Sequence, residues 1–526
     1  MTAQLLEDYV EERVNELDIS KLEEGLKSMT PEQKWKLFIS ESTDVPPPCA
    51  AVGYKAIVAA IDRNHVHIVK CFLESLSSNQ KAELLTKNVY YKNALRIGYK
   101  KISLVHRAAM SGQIDIIKCI RDSVSTERRY ELFKAQDQSN YTPLHFTVLR
   151  NHTDSMKCIL DSVSTEETYE LLKIQDELGH TPLHVTAQYG HKDTMKCILD
   201  SVAPEKRCEL LKVQEEYGYT PLHYTAEKGH TDTMKCILDS VAPEERCELL
   251  KVQHQSDDTS LHYTALRGHT ETMRCILDSV SAEERYELLK VQDQSGNTPL
   301  YYTATQGHID TTKLILNSVS AEERYEILKV QNEWGGTTLH NTAVENCTHT
   351  MKCILDLVST KEKYELLKVQ EQSGRTPLHI TAMEDHTKTV RCILASVSAE
   401  EKYELLEVKD QYGHTPLHYT AMNGHTDTMR CILDSVSPAT QLQLLNIQDD
   451  AHQTTVDVAL KFSHNETVNF IHQKQSLAES HNRTTEGMIK LQSNYTQEPK
   501  NLVKVAIYVK HICHKTKLVT QLTTDH

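Results

Sequence analysis

Apolar and polar positions along the chain fall into three short helical patterns, and the set recurs every 39 residues. In residues 220–258 the first pattern is Leu222, Thr225 and Ala226, small packing residues at helical spacing. Thr220 precedes it as an N-cap, and Pro221 suits the first helical position, where no N–H is needed. Gly229 supplies the positive φ that ends the helix. The second pattern, Met234, Ile237 and Leu238, predicts a helix from Thr231 to about Val241. The third is clearest at Ser281-Ala282-Glu283-Glu284, a capping box whose helix carries Tyr286, Leu288 and Leu289 on its apolar side. Ser164 and Glu167, Ser320 and Glu323, Ser359 and Glu362, and Ser398 and Glu401 repeat that box, while Pro204 and Pro243 open the third helix in two other units.

A four-residue signal, Thr-Pro-Leu-His or a near variant, starts at 142, 181, 220, 259, 298, 337, 376 and 415. A fixed period of this kind marks a repeat array, which lengthens by stacking rather than by enlarging one core. The helix-ending slot holds Gly112, Gly190, Gly229, Gly268, Gly307 and Gly424, and elsewhere Asn64, Asn151, Asn346, Asp385 and Ser463. Asn and Asp are the non-glycine residues that best tolerate a left-handed backbone, so the slot is a backbone requirement.

The expected organisation starts with a helical N-terminal cap over 1–54. It contains a degenerate half-repeat, Met29–Phe38, and ends at Pro46-Pro47-Pro48. The array then spans 55–474. Its first unit, 55–102, is divergent and 48 residues long, with a nine-residue insertion around Asn88–Tyr99. Nine regular units fill 103–453, and a degenerate one follows over 454–474. Residues 475–526 lose the period and are polar, which predicts a flexible tail with a short ordered piece near 501–514.

Thr-Pro-Leu-His-x-x-Ala-x-x-Gly-His followed by a second amphipathic helix resembles the ankyrin repeat, whose period is about 33 residues. The resemblance covers residues 55–474 and recurs in register. It implies an all-α, ankyrin-like α-solenoid that binds a partner protein and carries no catalytic site. There are two departures. Thr stands at 147, 186, 225, 264, 303, 342, 381 and 420, where the family's second alanine is shifted. Six extra residues per unit add the third helix, so short loops are expected in place of long β-hairpin fingers.

The composition is 39% hydrophobic and 25% charged, with a formal charge of −15. That charge disfavours nucleic acid or an anionic membrane as the main partner. The acidic start, MTAQLLEDYVEERVNELD, has no apolar stretch of the signal-peptide kind, and no run approaches a membrane span. Of 14 cysteines, nine occupy one slot: Cys71, Cys119, Cys158, Cys197, Cys236, Cys275, Cys353, Cys392 and Cys431. Leu314 fills the tenth, so the slot is apolar packing space. Equivalent positions on stacked helices are about 8–10 Å apart, too far for disulfides. Reduced thiols point to a reducing compartment, here the cytoplasm.

Most of the 28 histidines sit in two slots, the Thr-Pro-Leu-His position (His145, His184, His223, His262, His340, His379, His418) and the Gly-His position (His191, His230). The resemblance implies that the first kind bonds back to its own turn and Thr. No zinc-protease, phosphate-loop or nucleophile-elbow motif occurs. His511-Ile512-Cys513-His514 is one short cluster without a second metal-binding pair. The chain is therefore expected to be a monomeric non-enzyme without cofactor, metal or small-molecule substrate.

Positions that the repeat leaves free to differ are the candidate contacts. At the loop tips these are Leu178, Tyr217, Trp334 and Tyr412. Just before the Thr they are Tyr141, His180, Tyr219, Arg375 and His414, and Tyr189 ends a first helix. In ankyrin-like proteins the tips and first helices line the concave binding face, and Tyr and Trp are frequent interface anchors. The alternatives are local packing of these aromatics on neighbouring loops and, for the whole chain, an exported microbial or symbiont effector acting on a host protein.

Overall fold

A computed structural model describes residues 19–39, 52–74, 76–87, 89–92 and 99–495, together with Leu6, Asp8 and Val10. Pro46-Pro47-Pro48, the ordered piece expected near 501–514 and the His511–His514 cluster lie outside the described residues.

The unit containing Thr220 shows why each helix starts and stops where it does. Its first helix is Pro221–Lys228. The Thr220 backbone N–H donates to His223 Nδ1 at 3.1 Å, and its hydroxyl lies 2.8 Å from the same nitrogen. Gly229, at φ 70°, closes the helix. Its N–H reaches Ala226 O at 3.3 Å and that of His230 reaches Thr225 O at 2.9 Å, a Schellman pair. The second helix, Thr231–Ser240, buries Met234, Ile237 and Leu238. The third, Pro243–Leu250, buries Cys247, Leu249 and Leu250.

Other units vary the chemistry within this frame. Ser281 and Glu284 cap the third helix Ala282–Leu289 reciprocally, at 2.8 and 3.3 Å. The threonines that replace the expected alanine are all buried, and each hydroxyl donates to a carbonyl of its own helix. Thr225 reaches Leu222 O at 2.9 Å and Thr420 reaches Leu417 O at 2.8 Å. A buried hydroxyl satisfied within its helix costs little, which is why the slot accepts Thr.

The chain divides into two compact units, Met1–Glu333 and Trp334–His526. In the first, the first helices Leu104–Ser111, Pro143–Leu149, Pro182–Tyr189, Pro221–Lys228, Ser260–Arg267 and Pro299–Thr305 pack in succession. In the second, Thr338–Val344, Pro377–Met383, Pro416–Asn423 and Thr455–Lys461 do the same. Second helices pack on second helices in each. The result is a stack of helical repeats, an α-solenoid whose Leu, Ile, Met and Ala core runs between neighbouring repeats.

Two features depart from the sequence pattern. The insertion contains a small antiparallel pair, Val89–Lys92 with Tyr99–Ile102, in which Val89 faces Ile102. The last helix runs from Asn465 to Tyr495, so the stretch expected to be a tail from 475 begins as helix. Among the described residues no helix is long and apolar enough to cross a membrane.

Candidate partner-binding face

Each repeat ends in a tight turn before the next Thr, and three interactions hold it. In most turns an acidic residue accepts the N–H groups two and four residues on, as Asp176 Oδ1 takes Leu178 N at 2.9 Å and His180 N at 2.8 Å, whereas before Thr259 it is His254 Nδ1 that accepts Asp258 N at 3.2 Å. Glu215, Asp293 and Asp410 do the same in their turns. The preceding glutamine links one turn to the next. Gln214 Nε2 donates to Gly218 O at 2.9 Å and to Gln253 O at 2.8 Å. Finally, the tip carbonyls accept from the following turn: Glu216 N to Leu178 O at 3.1 Å, Gln255 N to Tyr217 O at 3.2 Å, Gln372 N to Trp334 O at 3.0 Å, and Asp450 N to Tyr412 O at 3.2 Å.

The tip backbone is thus fixed by its neighbour while its side chain points outward. Leu178 is 45% exposed, Tyr217 57%, Trp334 55% and Tyr412 58%. Tyr189, 51% exposed, stacks on His191 with ring centroids 5.8 Å apart.

The residues before the Thr lie deeper, and each is engaged. Their carbonyls accept from the Thr-Pro-Leu-His histidine of the preceding repeat: His145 Nε2 to His180 O at 3.0 Å, His184 to Tyr219 O at 3.0 Å, and His340 to Arg375 O at 3.1 Å. Their side chains meet the next first helix. His180 Nε2 is 2.9 Å from Tyr224 Oη. Tyr219 Oη is 2.6 Å from Tyr263 Oη, and its ring meets His254 edge-on at 4.9 Å. Tyr141 packs against His145 and Phe146, and burial pushes its hydroxyl up to about 12. The Arg375 guanidinium donates to Glu371 Oε1 at 2.9 Å and lies against Met383 Sδ. His414 is half-buried beside Asp410 and Asp449, at 3.8 and 3.6 Å.

The ten candidates therefore form two groups: an outward set of Leu178, Tyr189, Tyr217, Trp334 and Tyr412, and a set packed between repeats. The glutamine series Gln136, Gln175, Gln214, Gln253, Gln292 and Gln370 went unnoticed in the sequence, although its 39-residue recurrence was visible there.

The Thr-Pro-Leu-His histidines are structural. Because Nε2 faces a carbonyl it carries the proton, which leaves Nδ1 to accept from the Thr. Burial lowers His184 and His223 to about 3, and His145, His262, His340 and His379 to about 4. Burial likewise pushes the Cys119 thiol up to about 11, so it behaves as packing rather than as a nucleophile. Among the described residues, no three His, Cys, Asp or Glu side chains converge on a metal position.

A family model for ankyrin repeats (3 copies) matches residues 105–207, 166–247 and 243–325, and one for the single ankyrin repeat matches 373–401 and 412–441. Together they cover just over half of the chain. A search of curated proteins finds no match.

Proposed function

The chain belongs to the ankyrin-repeat family, whose repeats generally serve as protein–protein interaction modules and are typically non-catalytic, and from that premise we propose that it is a monomeric scaffold or adaptor of the cytoplasm that holds a partner protein along its turn tips and first helices. The observation that carries this is the outward set of apolar side chains, Leu178, Tyr217, Trp334 and Tyr412, on turns whose backbone is bonded to the neighbouring turn. Side chains on a fixed backbone lose little conformational freedom on binding, and large aromatics supply most of the contact energy at such surfaces. The twelve described cysteines are free thiols, buried or half-buried, which suits a reducing compartment.

The test is affinity capture with the full chain from its native cell, with recovered partners compared between wild type and two double variants, Leu178→Ser with Tyr217→Ala and Trp334→Ala with Tyr412→Ala. A drop of tenfold or more in one partner's recovery, with unchanged helical content, supports the reading. Undiminished recovery with both variants removes the turn tips from it.

A further inference from the structure

Two turns place a histidine just before the Thr, His180 and His414, and only the first has a tyrosine on the following repeat to complete it. At His180, Nδ1 is 3.3 Å from Asp176 Oδ2, Nε2 is 2.9 Å from Tyr224 Oη, and the two rings meet edge-on at 5.7 Å. Two other tyrosines in the Tyr224 slot bond to the acid nine positions before them, Tyr302 Oη to Asp293 Oδ2 at 2.5 Å and Tyr419 Oη to Asp410 Oδ2 at 2.6 Å.

His414 stands in the slot of His180, and Val458 in that of Tyr224. Gln453 likewise replaces Tyr219, so two phenol rings are missing at one turn. Val458 is buried, but its methyls stop short, and a cavity of about 310 Å³ opens there. Its walls include Tyr412, His414, Met422, Val458 and Phe462. His414 Nδ1 is buried without a hydrogen-bond partner. Its Nε2 lies 3.6 Å from Asp449 Oδ2, too far for a direct bond. These two polar atoms flank the place where the His180 turn puts a phenolic oxygen.

We propose that this cavity receives a tyrosine side chain presented by a partner protein, its ring between Tyr412 and Phe462 and its hydroxyl between His414 Nε2 and Asp449 Oδ2. The hydroxyl donates to the Asp449 carboxylate and accepts from Nε2–H, while Nδ1 stays on the far side of the ring, 3.8 Å from Asp410 Oδ2. A protein source is favoured because the mouth lies beside Tyr412, which is 58% exposed on the turn-tip face. The volume is at the small end of ligand sites, roughly 300–1,000 Å³, which suits one ring rather than a larger cofactor. The assignment rests on the scaffold reading and names the partner chemistry at one of its turns.

The experiment titrates the full chain calorimetrically with three probes: the peptide Gly-Gly-Tyr-Gly-Gly, its Phe counterpart, and p-cresol. Saturable binding of the Tyr peptide, at least tenfold tighter than the Phe peptide, is expected, since a site built to bond a hydroxyl rejects the analogue lacking it. Val458→Tyr fills the cavity from within. It is expected to melt no lower than wild type and to lose Tyr-peptide binding at least tenfold, while Asp449→Asn reduces the Tyr-over-Phe preference. Equal affinity for the two peptides, or full binding by V458Y, overturns the proposal. So does p-cresol binding as tightly as the Tyr peptide, because the source is then a small phenol. Binding that emerges only after truncation behind Tyr495 overturns it in favour of this chain's own C-terminal segment. None of these results alters capture through the turn tips, so the two readings fail separately.

Discussion

His184 Nε2 donates to the carbonyl of Tyr219, 35 residues further on, at 3.0 Å. Its Nδ1 meanwhile accepts the Thr181 N–H at 3.1 Å. One neutral imidazole therefore caps its own helix and ties it to the next turn. Burial lowers the group to about 3 in the folded chain, against an ordinary 6.5. A depressed histidine binds its proton more readily once unfolded, so the stabilisation is fully present above pH 6.5 and is lost as pH falls from 6.5 toward 3. At pH 5 the loss is roughly 2 kcal/mol per such histidine. His145, His223, His262, His340 and His379 behave alike. Acid titration followed by circular dichroism should therefore show steep unfolding between pH 6 and 4. His184→Asn, which removes one titrating group, should weaken stability at pH 7.5 and lessen its fall toward pH 5. An equal pH slope in the variant would contradict the assignment.

Tyr301 occupies the one regular slot where this histidine is missing, and Thr298 there has no capping box. Every neighbouring first helix with histidine has one. Tyr301→His should supply an acceptor to the Thr298 N–H and raise stability by about 1 kcal/mol, the usual worth of a cap. Urea denaturation of the full chain measures this, and a lower midpoint would mean that the Tyr301 ring contributes more than the cap.

Local backbone rules account for what was legible in the sequence. Thr-Pro starts, left-handed helix ends and the Ser281–Glu284 type of box each act within four residues, so the string of residues displays them directly. Contacts between repeats were harder to see. Tyr219 and Tyr263 are 44 residues apart, and nothing local marks one as the other's partner. Sequence reasoning therefore placed Tyr219 and Tyr217 together as variable positions, although one is packed and the other exposed. A column-wise comparison of the units would have separated them, because Tyr224, Tyr263, Tyr302 and Tyr419 recur in one column. Phe146, Val185, Asn341, Ile380 and Val458 depart from that column, and of these only Val458 lies 44 residues after a histidine in the slot before the Thr. The strand pair Val89–Lys92 and Tyr99–Ile102 had no such column, since its insertion occurs once.

Gly190 combines two constraints. Its φ is 69°, and a Cβ would come within 2.5 Å of His230 Nδ1. In another unit Asn151 holds the same slot at φ 57°, and its side chain accepts from the Thr194 hydroxyl at 2.8 Å. Thr233, which corresponds to Thr194, is buried with no partner for its hydroxyl. Gly190→Ala should therefore cost about 1–3 kcal/mol, from backbone strain and the displaced ring. Gly190→Asn should cost clearly less, because Asn tolerates the left-handed backbone and satisfies Thr233. Melting temperatures of the two variants decide this, and Ala at or above Asn would show that the hydroxyl and the φ preference do not govern the slot.

Asp258, just before Thr259, is the one carboxylate in its column that burial and two neighbouring acids disturb strongly. Desolvation first, then Asp293 and Asp257, raise it from 3.8 to about 7. A raised carboxyl favours its protonated form in the folded chain. Its contribution is fully present below pH 3.8 and lost as pH rises through about 7. At pH 8 the folded protein holds an ionised Asp258 in poorly solvated surroundings, and His254, whose Nε2 is 3.8 Å away, is kept neutral by burial and supplies no counter-charge. Asp258→Asn, which keeps the shape and removes the charge, should raise stability at pH 8 by about 2 kcal/mol and by less than half as much at pH 5, where the unfolded carboxyl is already ionised. Denaturant midpoints of wild type and variant at the two pH values provide the measurement. A gain of equal size at both would trace the effect to packing, and a loss at pH 8 would mean that the Asp258–His254 pair stabilises the turn in its charged form.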